Sequence, residues 1–430
     1  MSWTTVPMNA LKAPGNYTFV GGPFGSELTT KDYVDEGVPV IRGNNLSKYG
    51  KFHDDDFVFV TDEKAVSLRS NTAYPGDLIF TQRGTLGQVG RIPEDARFDK
   101  YVVSQSQMKL TVDEAKVNPL FVYYYFCLPS TVQKILGSVS TSGVPHINLS
   151  TLKAFKIPLP EKQVQNQIVE LVSPYDDLIE NNRRRIGLLE EAARLLYREW
   201  FVYFRFPGHE HFKITNGLPD GWERIPPGRL VADHIGGGWG KDEPAGKETE
   251  PAFVIRGTDI PEVENGKIDG VGLRFHGPKQ LESRILQPYD IIFEVSGGST
   301  NQPIARTLIL TPERLKQWDG NIICASFCKK FKMSTPQDSV FFYYHVREYR
   351  DRGDILVYQK ESASSLKNFN FESFMSGYMV SLPPVSLRSM FFEQANDLLR
   401  EQAVLSAQIV KLREARDLLL PRLMSGEIAV

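Results

Sequence analysis

Residues 167–203 read QIVELVSPYDDLIENNRRRIGLLEEAARLLYREWFVY. Stepping alternately by four and three picks out Ile168, Val172, Tyr175, Ile179, Asn182, Ile186, Leu189, Ala193, Leu196, Trp200 and Tyr203. Asn182 is the one polar residue on that stripe. Such spacing predicts a long helix whose apolar seam packs against another helix. At 1.5 Å per residue the seam is roughly 50 Å long, more than a helix lying on a globular core usually needs. Adding 223 to each position gives a second stripe: Phe391, Ala395, Leu398, Gln402, Leu405, Ile409, Leu412, Arg416, Leu419 and Leu423. Gln402 and Arg416 interrupt this one. Two matching seams in one chain are natural partners.

The helical echo belongs to a longer one. Val40-Ile41-Arg42-Gly43 recurs as Val254-Ile255-Arg256-Gly257, and Asp77-Leu78-Ile79-Phe80 as Asp290-Ile291-Ile292-Phe293. Phe121-Val122-Tyr123-Tyr124 recurs as Phe341-Phe342-Tyr343-Tyr344, and Leu159-Pro160 as Leu382-Pro383. The order is kept while the offset drifts upward, as small insertions in the second copy would produce. The chain is an internal duplication: globular unit, long helix, globular unit, long helix. Each globular unit reads as mixed α/β. Short apolar runs at 38–41, 77–80 and 102–110, and at 253–255, 290–293 and 322–331, are expected strands. Asn118-Pro119 and Thr335-Pro336 each supply a cap and a first-turn proline for one helix. Residues 206–222, rich in Gly, Pro and His, link the halves.

Composition sets the class. The chain has 430 residues, 41% hydrophobic and 24% charged, with net charge −2, so it is an ordinary globular protein of two to three domains rather than a wholly basic nucleic-acid binder. No run approaches the ~18 apolar residues of a membrane span, and no signal-peptide layout opens the chain. Three cysteines, Cys127, Cys324 and Cys328, suit a reducing, cytoplasmic setting without a disulfide framework.

The motifs that would carry catalysis fail on inspection. Asn118-Pro119-Leu120-Phe121 comes closest to an adenine-methylating loop, but Leu120 stands where a second proline is needed, and helix capping is the better reading. Pro226-Pro227 and Pro383-Pro384 lack suitable flanks. Gly236-Gly237-Gly238-Trp239-Gly240-Lys241 lacks the first glycine and the final Ser/Thr of a phosphate loop, and reads as a mobile surface loop. His209 and His211 sit in a polar linker and read as solvated. Cys324 and Cys328, four apart on one expected strand, read as core packing. No metal or cofactor is expected in this chain.

Nucleic-acid contact is expected on loops. Gln82-Arg83-Gly84-Thr85 and Ser296-Gly297-Gly298-Ser299 follow equivalent strands. A second pair precedes the Leu-Pro element: residues 141–148, with Ser142, His146 and Asn148, and residues 360–368, with Lys360, Ser364, Lys367 and Asn368. Arg83 suits bidentate donation to guanine, and the short polar side chains suit phosphate positioning. Arg42 and Arg256, shared by both copies, are expected to fix a turn. Arg183, Arg184 and Arg185 read as a solvated helix face.

Taken together, Gly22-Pro23-Phe24-Gly25-Ser26, residues 38–43, Leu178-Ile179-Glu180-Asn181-Asn182-Arg183-Arg184, residues 189–201, Leu218-Pro219-Asp220-Gly221-Trp222 and, most closely, residues 412–426 (LREARDLLLPRLMSG) resemble the specificity subunit of type I restriction–modification systems. Residues 1–20 lack the Pro-Asx-Gly-Trp opening of such a recognition domain. The resemblance implies a first target recognition domain at 1–160, a central helical region at 161–206, a linker and second recognition domain at 207–384, and a C-terminal helical region at 385–430. It further implies an antiparallel coiled coil spacing two readers of a split double-stranded DNA target. The implied partners are methyltransferase subunits, two in number, which carry S-adenosylmethionine, and a translocating restriction subunit. A methyltransferase-only system and a coiled-coil scaffold that binds only proteins are the competing readings.

Overall fold

A computed structural model of the chain describes residues 3–46, 51–138, 145–297, 303–361 and 367–430. It divides into two compact units, Met1–Asp177 with Arg413–Val430, and Leu178–Leu412.

In the first unit, strand Thr4–Pro7 pairs antiparallel with Lys156–Leu159. One four-stranded sheet runs in the order Phe19–Gly21, Gln107–Leu110, Leu78–Thr81, Val89–Arg91. Another runs Val58–Val60, Val38–Ile41, Tyr101–Val103, Thr72–Ala73. In it Val40 lies opposite Val102 in parallel register, and the unbroken burial of Val38–Ile41 fits a strand covered on both faces. The run expected as one strand over 102–110 is two. A turn intervenes, in which Gln107 N donates to Ser104 O at 3.1 Å, and the chain crosses from one sheet to the other. Helix Pro119–Cys127 starts where Asn118 Oδ1 accepts from Leu120 N at 2.9 Å. Asn118 N is itself held by Gln165 Oε1 at 2.8 Å, at the start of the long helix Lys162–Phe201.

The second unit repeats this plan. Glu223–Ile225 pairs with Val380–Leu382. The four-stranded sheet runs Val231–Gly236, Cys328–Met333, Ile291–Glu294, Thr307–Ile309, the same order as in the first unit. Glu250–Ile255 lies parallel to Asn321–Cys324, as Val38–Ile41 does to Tyr101–Val103. Helix Pro336–Asp351 starts from Thr335, whose hydroxyl accepts from Asp338 N. Asp338 meets Arg388 of the second long helix, Val385–Met424. The shared aspartates close matching turns: Tyr74 N donates to Asp77 at 2.9 Å and Gln287 N to Asp290 at 2.8 Å. So do the shared arginines, whose N–H groups bond Asn45 and Asp259, each at 2.9 Å. The strand foreseen at 322–331 also breaks in two. Cys324 ends one strand and Cys328 begins the next. Both thiols are buried, and burial pushes that of Cys324 up to about 12.

The long helices pair within each unit. In the first, Ile168 and Val172 pack with Leu420 and Leu423, and Arg416, a break in the stripe, meets buried Asp176 at 2.6 Å. In the second, Ile179, Ile186, Leu405 and Ile409 form a cluster flanked by Leu189 and Leu412. There Asn182 Nδ2 donates to Gln408 at 3.2 Å and Arg185 meets Glu401 at 2.7 Å, so the helices run antiparallel. Trp200 packs on Phe391, ring centroids 6.0 Å apart. The strict four-three stripe needs correcting. Tyr175, Leu196, Leu398 and Leu419 are half-buried, while the next residues, Asp176, Tyr197, Leu399 and Leu420, are buried. A helix with 3.6 residues per turn slips about 20° per heptad against a 3.5 repeat, so the facing position moves one residue on. Tyr203 leaves the stripe altogether: the helix ends at Phe201, and Tyr203 is exposed. No helix among the described residues is long and apolar enough to cross a membrane.

One buried group makes the second unit sensitive to acid. His345 Nδ1 lies 2.7 Å from the Tyr197 hydroxyl and Nε2 3.1 Å from that of Tyr378. Burial pushes its pKa down to about 3. The unfolded chain takes up this proton near pH 6.5, so His345 withdraws stability as pH falls from about 6.5 toward 3, by about 1.4 kcal/mol per pH unit. Urea midpoints at pH 7, 6 and 5 should decline less steeply in H345Q than in the wild type. Parallel profiles would contradict this.

Candidate nucleic-acid interface

The loops singled out in sequence meet in pairs. In the first unit, Arg83 bridges His146, and Gln82 O accepts from Ile147 N at 3.1 Å. In the second, Ser296 pairs with Asn368 and Gly297 with Lys367, while Lys360 lies opposite Asn368. Both pairs form just past equivalent strands, Leu78–Thr81 and Ile291–Glu294. Both rest on the turn between the central strands. Ser106 O accepts from Gln82 N at 2.7 Å, and Phe327 O from Ser296 N at 3.2 Å.

Individual residues fare differently. Arg83 and Thr85 are exposed and, with Gly43, Asn44, Thr81, Gln88 and Ser106, line a polar concavity of about 430 Å³. Gln82 and His146 are half-buried. Asn148 is exposed, but its oxygen is committed to capping helix Leu149–Ala154, accepting from Thr151 N at 2.8 Å. Asn370 caps the matching helix Phe371–Gly377, so the pair is structural in both copies. Lys360 and Asn368 are exposed, and Asn368 accepts from the half-buried Ser296 hydroxyl at 2.6 Å. Lys367, expected on the surface, is buried at 6% exposure. Its strand alternates, with Lys367 and Phe369 buried and Asn368 between them exposed, which turns the lysine side chain inward. Ser142, Ser299 and Ser364 lie outside the described residues.

Asn44 and Gln88 were not singled out in sequence. Asn44 directly follows the repeated Val-Ile-Arg-Gly motif, which was a usable signal. Gln88 carried none, because its relevance depends on pairing across the sheet. Thr81 faces it at 3.4 Å, Oγ1 to Oε1. In the second copy the same two places hold Glu294 and Arg306, joined by bonds of 2.6 and 2.9 Å. The larger charged pair fills what the first copy leaves open. Hydrogen bonding to Glu294 holds the Arg306 guanidinium above its ordinary pKa.

The glycine run at 236–240 is not the surface loop its composition suggested. Gly237 N donates to Cys328 O and Gly238 N to Cys324 O, each at 2.9 Å. A Cβ on Gly237 would stand 2.1 Å from Ala325 O, so glycine is required for backbone to pack on backbone. Of the Arg183–Arg185 face, Arg184 is solvated as expected, but Arg185 reaches the opposite helix. His209 Nδ1 lies 2.9 Å from Phe206 O, within its own linker.

Residues 10–191 match the family described as Type I restriction modification DNA specificity domain. Over 422 residues the chain is 24% identical to the type I restriction enzyme MjaIX specificity subunit of Methanocaldococcus jannaschii, covering 93% of this chain and 89% of that one. A shorter stretch of 132 residues is 27% identical to the type I restriction enzyme HindI specificity subunit of Haemophilus influenzae, covering 30% and 28%. Among solved structures, the type I restriction–modification S subunit from M. genitalium superposes over 98% of this chain and 96% of that one. Its TM-score is 0.54 and its identity 16%, which shows a shared fold.

Proposed function

We infer that this chain, a member of the type I restriction–modification specificity-subunit family, reads a bipartite double-stranded DNA target and catalyses nothing itself. Residues 1–160 and 207–384 act as the two readers, and residues 161–206 and 385–430 hold them at a fixed spacing. The observation that carries this reading is the repeated placement of two loops. Each copy sets them side by side at the same end of an equivalent sheet, yet fills them with different side chains: Arg83 and His146 in one, Ser296 and Asn368 in the other. A shared scaffold with divergent tips suits two modules that read different bases.

The chemistry is then supplied from outside. Two methyltransferase subunits, one per module, bring S-adenosylmethionine, and a translocating restriction subunit completes the complex in the cytoplasm. Arg83 is the strongest base-reading residue, since it is exposed and its guanidinium matches the O6 and N7 acceptors of guanine.

Replacing it tests the assignment. In the complex with methyltransferase subunits, Arg83→Gln should lower discrimination at one position of one half-site by about 10- to 100-fold, from the ~1–3 kcal/mol of a bidentate contact. The other half-site should be untouched. Binding selections on randomised duplexes read this directly, and a uniform loss at every sequence would reassign Arg83 to phosphate contact.

A further inference from the structure

Two exposed aromatic residues occupy the same place in the two copies. Phe24 is 85% exposed and Trp239 is 45% exposed. Their equivalence is structural. Gly22 N donates to Gln107 O at 2.8 Å, and Gly237 N to Cys328 O at 2.9 Å. A Cβ on Gly22 would stand 2.0 Å from Ser104 O, as one on Gly237 would from Ala325 O at 2.1 Å. The residues after the aromatics, Gly25 and Gly240, both have positive φ, 52° and 67°. Each copy thus pins a glycine–aromatic–glycine tip onto the turn between its central strands.

That turn also carries the reading loops. Ser106 O holds Gln82 N and Arg83 N, while neighbouring Gln105 Nε2 donates to Gly25 O and to Leu28 O. Phe327 O holds Val295 N and Ser296 N. The aromatic tip and the base-reading loops are therefore anchored together in both copies. Leaving a large ring in water has no folding benefit. Doing so twice, at one repeated position beside the reading loops, calls for a ligand common to both halves. A base-specific role does not fit, because the neighbouring loops diverge whereas the ring is kept. In a duplex a ring reaches a base face only by wedging into an opened base step, and such a wedge is indifferent to base identity, since every base has a π-face.

We propose that Phe24 and Trp239 each stack on a nucleobase of the bound DNA, giving each module a sequence-independent hold beside its sequence-reading loop. Arg274 lies over the Trp239 ring, 4.4 Å from its centroid, and fixes the indole while leaving it partly open. Glu27 accepts from Phe24 N at 2.9 Å and steadies the other tip. This assignment rests on the DNA-reading function and adds to it a contact that functions in both halves alike.

The test uses the full chain in complex with its methyltransferase subunits. Phe24→Ala and Trp239→Ala should each weaken duplex binding by about 10- to 100-fold. Base preferences and the salt dependence of binding should stay unchanged, because no ionic contact is lost. Phe24→Trp should keep affinity and add DNA-dependent quenching to that of Trp239, whereas Phe24→Leu should behave like the alanine variant. Unchanged affinity in both alanine variants would overturn the proposal. So would full activity of Phe24→Leu, or loss of methyltransferase subunits from the complex as the primary defect. The wild-type complex's sequence preference, measured in the same assay, tests the reading function separately.

Discussion

Inserting one heptad into each long helix at the same level lengthens the unread gap in the DNA target by about three base pairs and leaves both half-sites as they were. The Arg185–Glu401 ion pair marks residues at one level of the antiparallel pair, so insertions after Arg185 and after Arg400 keep the seam in register. Seven residues add ~10 Å at 1.5 Å each. Seven is also the spacing at which the apolar face returns, so the buried cluster of Ile179, Ile186, Leu405 and Ile409 is extended rather than broken. At ~3.4 Å per base pair the shift is about three pairs. Three pairs also turn the duplex by roughly 100°, so affinity should fall even as site choice moves. Methylation sequencing in cells gives the answer. A changed half-site with an unchanged gap would contradict the spacing role of the helices.

The second large effect is expected at the buried pair between Glu294 and Arg306. Glu294 is 1% exposed and receives two guanidinium bonds. It also presses against Gly257, where a Cβ would stand 2.3 Å from its Oε1. Arg306→Met strands a carboxylate away from water and should cost about 3–5 kcal/mol. Joining it with Glu294→Met removes the stranded charge, and most of that loss should return. Denaturation read by hydrogen exchange would place the opening in Leu178–Leu412 and leave the other unit protected. A single variant losing under about 1 kcal/mol, or a double variant no better than the single, would show that the pair is not acting as a desolvated unit.

The duplication and the two seams were legible because burial imposes periodicity, and periodicity survives in sequence. Asn118-Pro119 and Thr335-Pro336 were legible as helix starts because capping is a local matter between residues two or three apart. The first unit's own opening is not legible in the sequence. Trp3-Thr4-Thr5-Val6-Pro7 answers to Trp222-Glu223-Arg224-Ile225-Pro226, and the strands Thr4–Pro7 and Glu223–Ile225 pair alike with the element before each long helix. Only Trp and Pro are shared there, too little to see without the sheet. The candidate interface was half legible. That the loops at 82–85 and 145–148 bond to each other depends on long-range strand order, and neither Lys367's burial nor the Gln88–Thr81 facing pair leaves a local trace. The glycines at 236–240 misled for the same reason. Glycine marks loose loops and tight backbone contacts equally, and only the carbonyls of Cys324 and Ala325 decide between them.

The first unit is closed by Arg413–Val430, and this has a consequence for how the protein is made. Ile168 and Val172 leave the ribosome early, whereas Leu420 and Leu423, against which they pack, follow only after the whole of Leu178–Leu412. At ~5–20 residues per second, roughly 240 residues take on the order of 10–50 s. For that interval a nascent apolar stripe stands unpaired while a complete second unit is being synthesised. Chaperone capture, or pairing with the same stripe on a neighbouring nascent chain, competes during that window. The growing chain thus completes its first unit last.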